Sequence, residues 1–131
     1  MTILRTYTIV DTAYHATCQT KTDVRWAHTT EVGIYGKISC KTWVTVDVKC
    51  ESYYARLNKS VISDSAHPAA QKKKTSCHEL GHTVGVRHYS AGSSPDGSTD
   101  SCMRSGPAAG EAWNTRYGDH QVKKHINPYF G

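Results

Sequence analysis

Three histidines and one glycine between positions 78 and 88 constrain the fold of this 131-residue chain more than any other feature. His78 and His82 are four residues apart, a separation that places two side chains on the same face of an α-helix, one turn apart. A straight helix would carry His88 away from that face. Gly85 can adopt a positive φ angle, end the helix and turn the chain back. The spacing therefore predicts a helix that ends near Gly85 and three imidazoles that converge on one point.

The residue types in this pattern, H-E-x-x-H-x-x-G-x-x-H, are typical of a catalytic zinc site. Three imidazoles with an open fourth position are a common ligand set for catalytic Zn²⁺. Zinc lowers the pKa of its bound water to about 7, and a nearby carboxylate such as that of Glu79 can take the proton. The resulting hydroxide attacks a carbonyl group that the metal polarises. We interpret His78, His82 and His88 as ligands of Zn²⁺ and Glu79 as the general base.

Two alternatives compete with this interpretation. Histidines can reach this spacing by chance, although five fixed positions coincide on the order of once in a million starting positions. A structural zinc is the stronger alternative, because Cys77 and Cys102 are also candidate ligands. A closed structural site has no need of Glu79, and the pattern therefore favours a catalytic metal.

The rest of the sequence predicts a single α+β domain over residues 1–131, with a strand-rich first half and a second half of helices and loop. Alternating, β-branched and aromatic residues predict strands at 5–11, 24–27, 31–35, 42–49 and 52–57, of which 42–49 is the clearest. Helices are predicted at 68–84, with Pro68 in the first turn and Asp64 or Ser65 as candidate caps, and at 118–126, before Asn127-Pro128. Residues 90–110, rich in Gly, Pro and Ser, predict an irregular loop.

Composition and charge limit the class of protein. No apolar run approaches the roughly 20 residues of a membrane-spanning helix, and the start of the chain does not resemble a secretory signal peptide. The net charge of +5 permits attraction to nucleic acid. However, the basic residues are scattered, and we interpret the run Lys72–Lys74 as a solvent-exposed helix face. We predict a monomer with no nucleic-acid partner and no membrane partner.

The zinc-site motif resembles that of the metzincin clan of zinc endopeptidases, in which a tight turn with a methionine lies beneath the metal. Residues 101–106 (SCMRSG) make Met103 the candidate for this Met-turn. The core His-Glu-Leu-Gly-His is similar to that of the matrixins, and the size and layout are similar to those of small secreted snapalysin-like proteases of actinobacteria. The resemblance implies a twisted mixed β-sheet, an active-site helix and a C-terminal helix. It also implies an edge strand that binds substrate, for which Ser52–Leu57 is the candidate.

The sequence departs from these relatives at three positions. Snapalysin has an aspartate as the third ligand, where His88 stands here, and Tyr89 matches none of the best-known subfamily markers. Ser105 occupies the place where several families have a tyrosine that helps the transition state. Tyr117, Tyr89 and His120 are candidates for a replacement donor. No calcium-loop spacing is present.

Five cysteines in 131 residues favour an oxidising compartment. We therefore expect a secreted protein whose signal and any pro-segment are absent from this chain. The resemblance brings the segments of Cys77 and Cys102 together beneath the metal, so a Cys77–Cys102 disulfide is favoured. Cys40 and Cys50 are a further candidate pair, but a single extended strand would hold them roughly 33 Å apart, so this bond requires a turn. Cys18 is then the odd thiol, and its ligation of zinc as a latency switch is an alternative.

The expected function is zinc-dependent endopeptidase activity on extended protein or peptide substrates. The alternative is a catalytically inactive, protease-like zinc-binding module that binds a protein partner. A third hypothesis, nucleic-acid binding, rests on charge alone. Small residues at 106–109 indicate a specificity pocket with room for a sizeable side chain.

Overall fold

The computed structural model describes residues 5, 8–19, 22–46, 49–88 and 101–130, and these residues form an α+β fold. A three-stranded sheet packs against a central helix, and a C-terminal helical segment follows an irregular stretch. The elements are the strands β1 (Val24–His28), β2 (Gly36–Val44) and β3 (Lys49–Leu57), the helices α1 (Lys59–Ser63) and α2 (Pro68–Thr83), a 3₁₀ turn (Ala112–Thr115), α3 (Asp119–Gln121), a π-helical turn (Val122–Ile126) and α4 (Asn127–Phe130). The predicted α+β class with a mixed sheet is confirmed. None of the helices in the described part of the chain is long and apolar enough to cross a membrane.

The sheet is mixed, with the strand order β1-β3-β2. β3 pairs in parallel with β1 and antiparallel with β2, so its Ala55 lies between Trp26 and Ile38 and is fully buried. The predicted strand Ser52–Leu57 is thus present within β3. Its predicted place at the edge is wrong, because β3 is hydrogen-bonded on both sides and has no free edge for a substrate.

The single strand predicted at 42–49 is wrong. β2 ends at Val44, a turn includes Thr45 and Val46, and β3 begins at Lys49, which pairs with Val44. Residues 47 and 48 lie outside the described residues. This hairpin supplies the turn that the Cys40–Cys50 disulfide requires, and that bond is present with its Cα atoms 5.7 Å apart.

The other predicted strands have mixed outcomes. The strand at 24–27 is confirmed as β1. The strand predicted at 31–35 is wrong: these residues include a turn with Gly33 at a φ of 80°, and β2 starts only at Gly36. Residues 8–11 of the strand predicted at 5–11 are not in a strand, and residues 6 and 7 lie outside the described residues.

Helix α2 agrees with the helix predicted at 68–84 to within one residue. Pro68 occupies its first turn, where a missing N–H costs little. His67 precedes it without a side-chain cap, and Asp64 instead follows the end of α1, so the two predicted caps are wrong. At the other end, Gly85 has the predicted positive φ, 80°.

The C-terminal helix predicted at 118–126 begins at Asp119 and continues to Phe130, beyond its predicted end. The N–H of Asn127 bonds to the carbonyl of Val122, five residues back, which is the wider spacing of a π-helix. Pro128 then falls in the first turn of α4. A proline is tolerated there because the N–H groups of a first turn have no partner within their own helix.

The core lies between α2 and the segment that follows residue 100. Its buried members are Val10, Cys77, Leu80, Val84, Val86, Cys102, Met103, Tyr117 and Ile126. The second predicted disulfide, Cys77–Cys102, is present inside this cluster. Gly81 allows the close approach, because a β-carbon there would overlap the Met103 sulfur and stand 2.9 Å from the Tyr117 ring.

We predict that Gly81→Ala destabilises the protein by about 1–3 kcal/mol through overpacking. This loss outweighs the gain of about 0.5–1 kcal/mol that alanine normally brings to a helix interior. Chemical unfolding measures the effect, and Lys73→Ala, at an exposed position of the same helix, should stay within about 0.5 kcal/mol of wild type. A Gly81→Ala variant as stable as wild type would contradict this account of the core.

Candidate metal centre

The structure brings His78, His82 and His88 together, as the sequence predicts. His78 and His82 lie one turn apart on α2, and His88 follows the turn at Gly85. The Nε2 atom of His88 is 2.8 Å from the Nε2 atoms of both other rings. The three side chains form a group that can hold a metal ion.

Backbone carbonyls fix the protonation of two of these rings. The Nδ1–H of His78 donates to the carbonyl of Cys102 at 2.9 Å, and that of His82 donates to the carbonyl of Val86 at 2.8 Å. A carbonyl oxygen only accepts, so the proton of each neutral ring is on Nδ1 and the Nε2 lone pair is free. This is the usual outer contact of a histidine that binds a metal.

The three Nε2 atoms fit a cation better than they fit one another. A neutral His88 carries at most one proton on Nε2, which satisfies only one of its two 2.8 Å contacts. The other contact then sets two lone pairs against each other. A metal ion between the nitrogens removes this conflict, and imidazole nitrogen suits zinc, copper, iron and nickel.

Burial keeps the rings in the form that binds metal. Desolvation lowers the pKa of His78 to about 4, although the bond to Cys102 opposes this, and the neighbouring histidines and Lys74 lower it further. Desolvation also lowers the pKa of His82. Both rings are therefore neutral near pH 7, and a metal displaces no proton from them.

The disulfide excludes the structural-zinc alternative that uses cysteine. Cys77 and Cys102 are bonded to each other, so neither offers a thiolate to a metal. Cys18 is a free, exposed thiol, and it is not a member of the histidine group.

Glu79 is buried beside the start of an edge strand. Its side chain is close to Gly36 of β2, where a β-carbon would stand 2.8 Å from Glu79 Oε1 and 2.6 Å from the Thr75 methyl. Burial raises the pKa of Glu79 to about 7. The role of Gly36 as space for this carboxylate depends on a contact between distant elements that sequence spacing does not show.

Met103 and Tyr117 lie in the core next to α2. Both pack against Gly81, and Met103 is fully buried. The Tyr117 hydroxyl donates to the carbonyl of Cys77 at 2.8 Å, and burial raises its pKa. This places Tyr117 in a structural contact and not in an open cleft as a replacement donor. Of the other candidates, His120 lies in α3, and Tyr89 is outside the described residues.

Lys74 contradicts the predicted exposed face at 72–74. Lys72 and Lys73 are exposed, but Lys74 is only 4% exposed, and its ammonium donates to the carbonyls of Arg104 at 2.8 Å and Gly106 at 2.7 Å. Burial and the nearby Arg104 lower the pKa of Lys74 to about 8. Lys74 thus ties α2 to the segment after Met103, and a run of three lysines gives no signal as to which one turns inward.

One turn earlier on the helix, Gln71 makes a similar contact. Its Oε1 accepts the N–H of Ala108 at 2.7 Å, and its Nε2 donates to Thr75 at 3.0 Å. The segment from 104 to 108 is therefore held by two buried side chains of α2.

We predict that the chain binds one zinc ion. His82→Ala removes a ligand and should weaken zinc affinity by more than the factor of about 10–100 that loss of an outer-shell contact costs. Competition with a chromophoric chelator, with metal analysis after dialysis, measures this. His28→Ala removes an exposed histidine outside the group and should bind zinc as wild type does. Undiminished zinc binding by both His82→Ala and His88→Ala would contradict the site.

We also predict a pH dependence in the metal-free chain. The pKa of Glu79 is raised to about 7, so the folded state holds a proton that the unfolded state releases from about pH 4.5 upward. Ionisation of Glu79 therefore costs stability as the pH rises through this window, on the order of 2–3 kcal/mol in all. Glu79→Gln abolishes this loss, and its stability relative to wild type should increase from about pH 5 to about pH 8.

Urea unfolding in the presence of EDTA tests this dependence. The lowered pKa of His78 acts in the opposite direction, since stability is gained as the pH rises through its window, but this contribution is common to both proteins and cancels in the difference. A difference that does not change with pH would show that Glu79 titrates normally.

Comparisons of the chain with protein-family models, curated proteins and solved structures find no match.

Proposed function

We propose that this protein is a zinc-dependent endopeptidase of the metzincin type. The convergence of three imidazole Nε2 atoms, two of them with Nδ1–H held by backbone carbonyls, carries the proposal. This geometry leaves lone pairs directed at one point, and the buried carboxylate of Glu79 belongs to the same helical turn. Three imidazole donors with no described fourth ligand are typical of a catalytic zinc and not of a closed structural one.

Each residue has a distinct role in this proposal. His78, His82 and His88 would hold a zinc ion, which would supply Lewis acidity and lower the pKa of water to near neutrality. Glu79 accepts the proton of the attacking water at a carboxylate oxygen and delivers it to the leaving amine nitrogen. Burial of Glu79 favours proton acceptance, because it raises the proton affinity of the carboxylate.

An edge of the sheet supports an extended peptide as substrate. Among the described strands β2 lies at an edge of the sheet, and its first residue, Gly36, is next to Glu79. An edge strand presents free backbone N–H and C=O groups, to which an extended segment can add as a further strand. A peptide bound along β2 would pass close to the proposed base. β2 therefore replaces Ser52–Leu57 as the strand proposed to bind substrate.

Two further parts of the proposal concern where the protein works. The disulfides Cys40–Cys50 and Cys77–Cys102 support secretion, because such bonds persist in oxidising compartments. We also propose that the protein acts as a monomer on protein or peptide substrates.

We predict that Glu79→Gln retains zinc but loses about 10²–10⁴-fold in hydrolysis. A peptide-library digest with and without phenanthroline measures activity, and metal analysis of the same samples measures zinc. Glu111→Gln, at an exposed position of the 3₁₀ region, is the matched control and should cleave as wild type does.

The outcomes of this experiment separate the candidate functions. Chelator-sensitive cleavage that is lost in Glu79→Gln supports the endopeptidase. Bound zinc without cleavage in wild type would favour the inactive zinc-binding module. One observation supports that alternative: Tyr117 is buried and Ser105 stands in the place of a tyrosine, so no transition-state donor is evident among the described residues. Full cleavage by Glu79→Gln would refute Glu79 as the base.

A further inference from the structure

A half-open cavity lies behind the turn that leads to the third histidine. It has a volume of about 310 Å³, and it is lined on one side by Gly85, Val86 and Arg87 and on the other by His120, Gln121 and His125. The first three residues form the turn between α2 and His88. The other three belong to the C-terminal helical segment. The cavity is therefore formed between the turn after α2 and the C-terminal helical segment.

The π-helical turn brings two histidines together on the wall of this cavity. In an α-helix, residues five apart point about 140° away from each other. The π turn at Val122–Ile126 has more residues per turn, so side chains five residues apart come to lie on nearly the same face. The ring centroids of His120 and His125 are 5.2 Å apart. Single π turns inside helices occur frequently at functional sites.

The polar side chains that line the cavity lack protein partners. Gln121 is only 5% exposed, yet its side-chain amide forms no hydrogen bond with any residue that the structure describes. The side chains of Arg87, His120 and His125 likewise form no hydrogen bond or ion pair with any residue in the described ranges. The polar atoms of the Gln121 amide are not sealed from solvent, so its donor and acceptor are open to the cavity and free to bind a ligand there.

The chemistry of the lining selects an anion. Arg87 offers a planar fork of donors that matches the oxygens of a carboxylate or phosphate, and the two imidazoles and the Gln121 amide add further N–H groups. The lining residues that the structure describes include no carboxylate, and the guanidinium of Arg87 repels a metal cation. We propose that the cavity formed by Arg87, His120, Gln121 and His125 binds an oxyanion, either a phosphate or a carboxylate.

This site does not depend on the proposed peptidase activity, but it adjoins the metal centre. Val86, in the wall of the cavity, accepts the hydrogen bond that orients His82, and Arg87 directly precedes His88. An anion held against this turn would restrain the backbone that presents two of the three ligands.

Nuclear magnetic resonance of the full chain, loaded with zinc, tests the proposal. Inorganic phosphate and N-acetylglycine are titrated separately at constant ionic strength, and the ring signals of the histidines and the side-chain amide of Gln121 are followed. We expect saturable shifts at His120, Gln121 and His125. Tighter binding of phosphate would assign a phosphate site, and tighter binding of N-acetylglycine would assign a site for a peptide carboxylate.

Variants locate the binding. Arg87→Gln and His125→Gln should each weaken binding of the preferred anion about tenfold or more, because each removes a hydrogen bond to a charged group. Arg116→Gln and His28→Gln remove exposed residues outside the cavity and should leave affinity unchanged. A backbone amide spectrum shows whether each variant is folded. If Arg87→Gln does not fold, His125→Gln alone tests the proposal.

Three results would overturn the proposal. The first is a shift confined to His78, His82 and His88, which would place the anion at the metal. The second is equal affinity in wild type and in both cavity variants. The third is a response of His120 and His125 to zinc beyond one equivalent without any response to either anion, which would make the cavity a cation site.

Discussion

The close contact between helix α2 and the segment at 101–103 is the constraint on which the metal centre depends. Gly81 removes the side chain that would hold the two apart, and Met103 fills the space. At this distance the carbonyl of Cys102 reaches the ring of His78, and the disulfide to Cys77 fixes the approach. The orientation of His78 is therefore set by packing against this segment and does not require a metal.

The charges around this contact favour neutral imidazole. Lys74 lies four residues before His78, on the same face of α2, and its buried ammonium is held by two backbone carbonyls and not by a carboxylate. A cation in this position opposes protonation of His78, as does burial itself. Two features that would each destabilise a charged histidine thus preserve the lone pair that a metal needs.

The parts of the fold that follow from local chemistry were predictable from the sequence. The i, i+4 histidines, Pro68 at the start of α2 and Gly85 at its end each depend on the geometry of a single helix. The turn within residues 42–49 was not predictable, because the alternation of Val44, Val46 and their neighbours continues across it and it contains no Gly, Pro or Asn. Alternation records which side chains share a face, and a hairpin can preserve it where the backbone reverses.

The features of the site that the sequence did not show all involve elements far apart in the chain. The inward position of Lys74 depends on the carbonyls of residues 104 and 106, and the meaning of Gly36 depends on Glu79. The edge position of β2 depends on β3 pairing with β1 on its other side. In each case the deciding partner is at least 30 residues away or is chosen by strand order, and no short pattern encodes such a choice.

The disulfide at the centre of this contact has a topological effect as well. The covalent loop that Cys77 and Cys102 close, with a sequence separation of 25, contains Glu79 and all three histidines. A single backbone cut anywhere between His88 and Ser101 would leave two pieces that remain covalently joined within one residue of His78 and of Met103. In the presence of peptidases, such a nick would neither release the three histidines nor separate the helix from the segment beneath it.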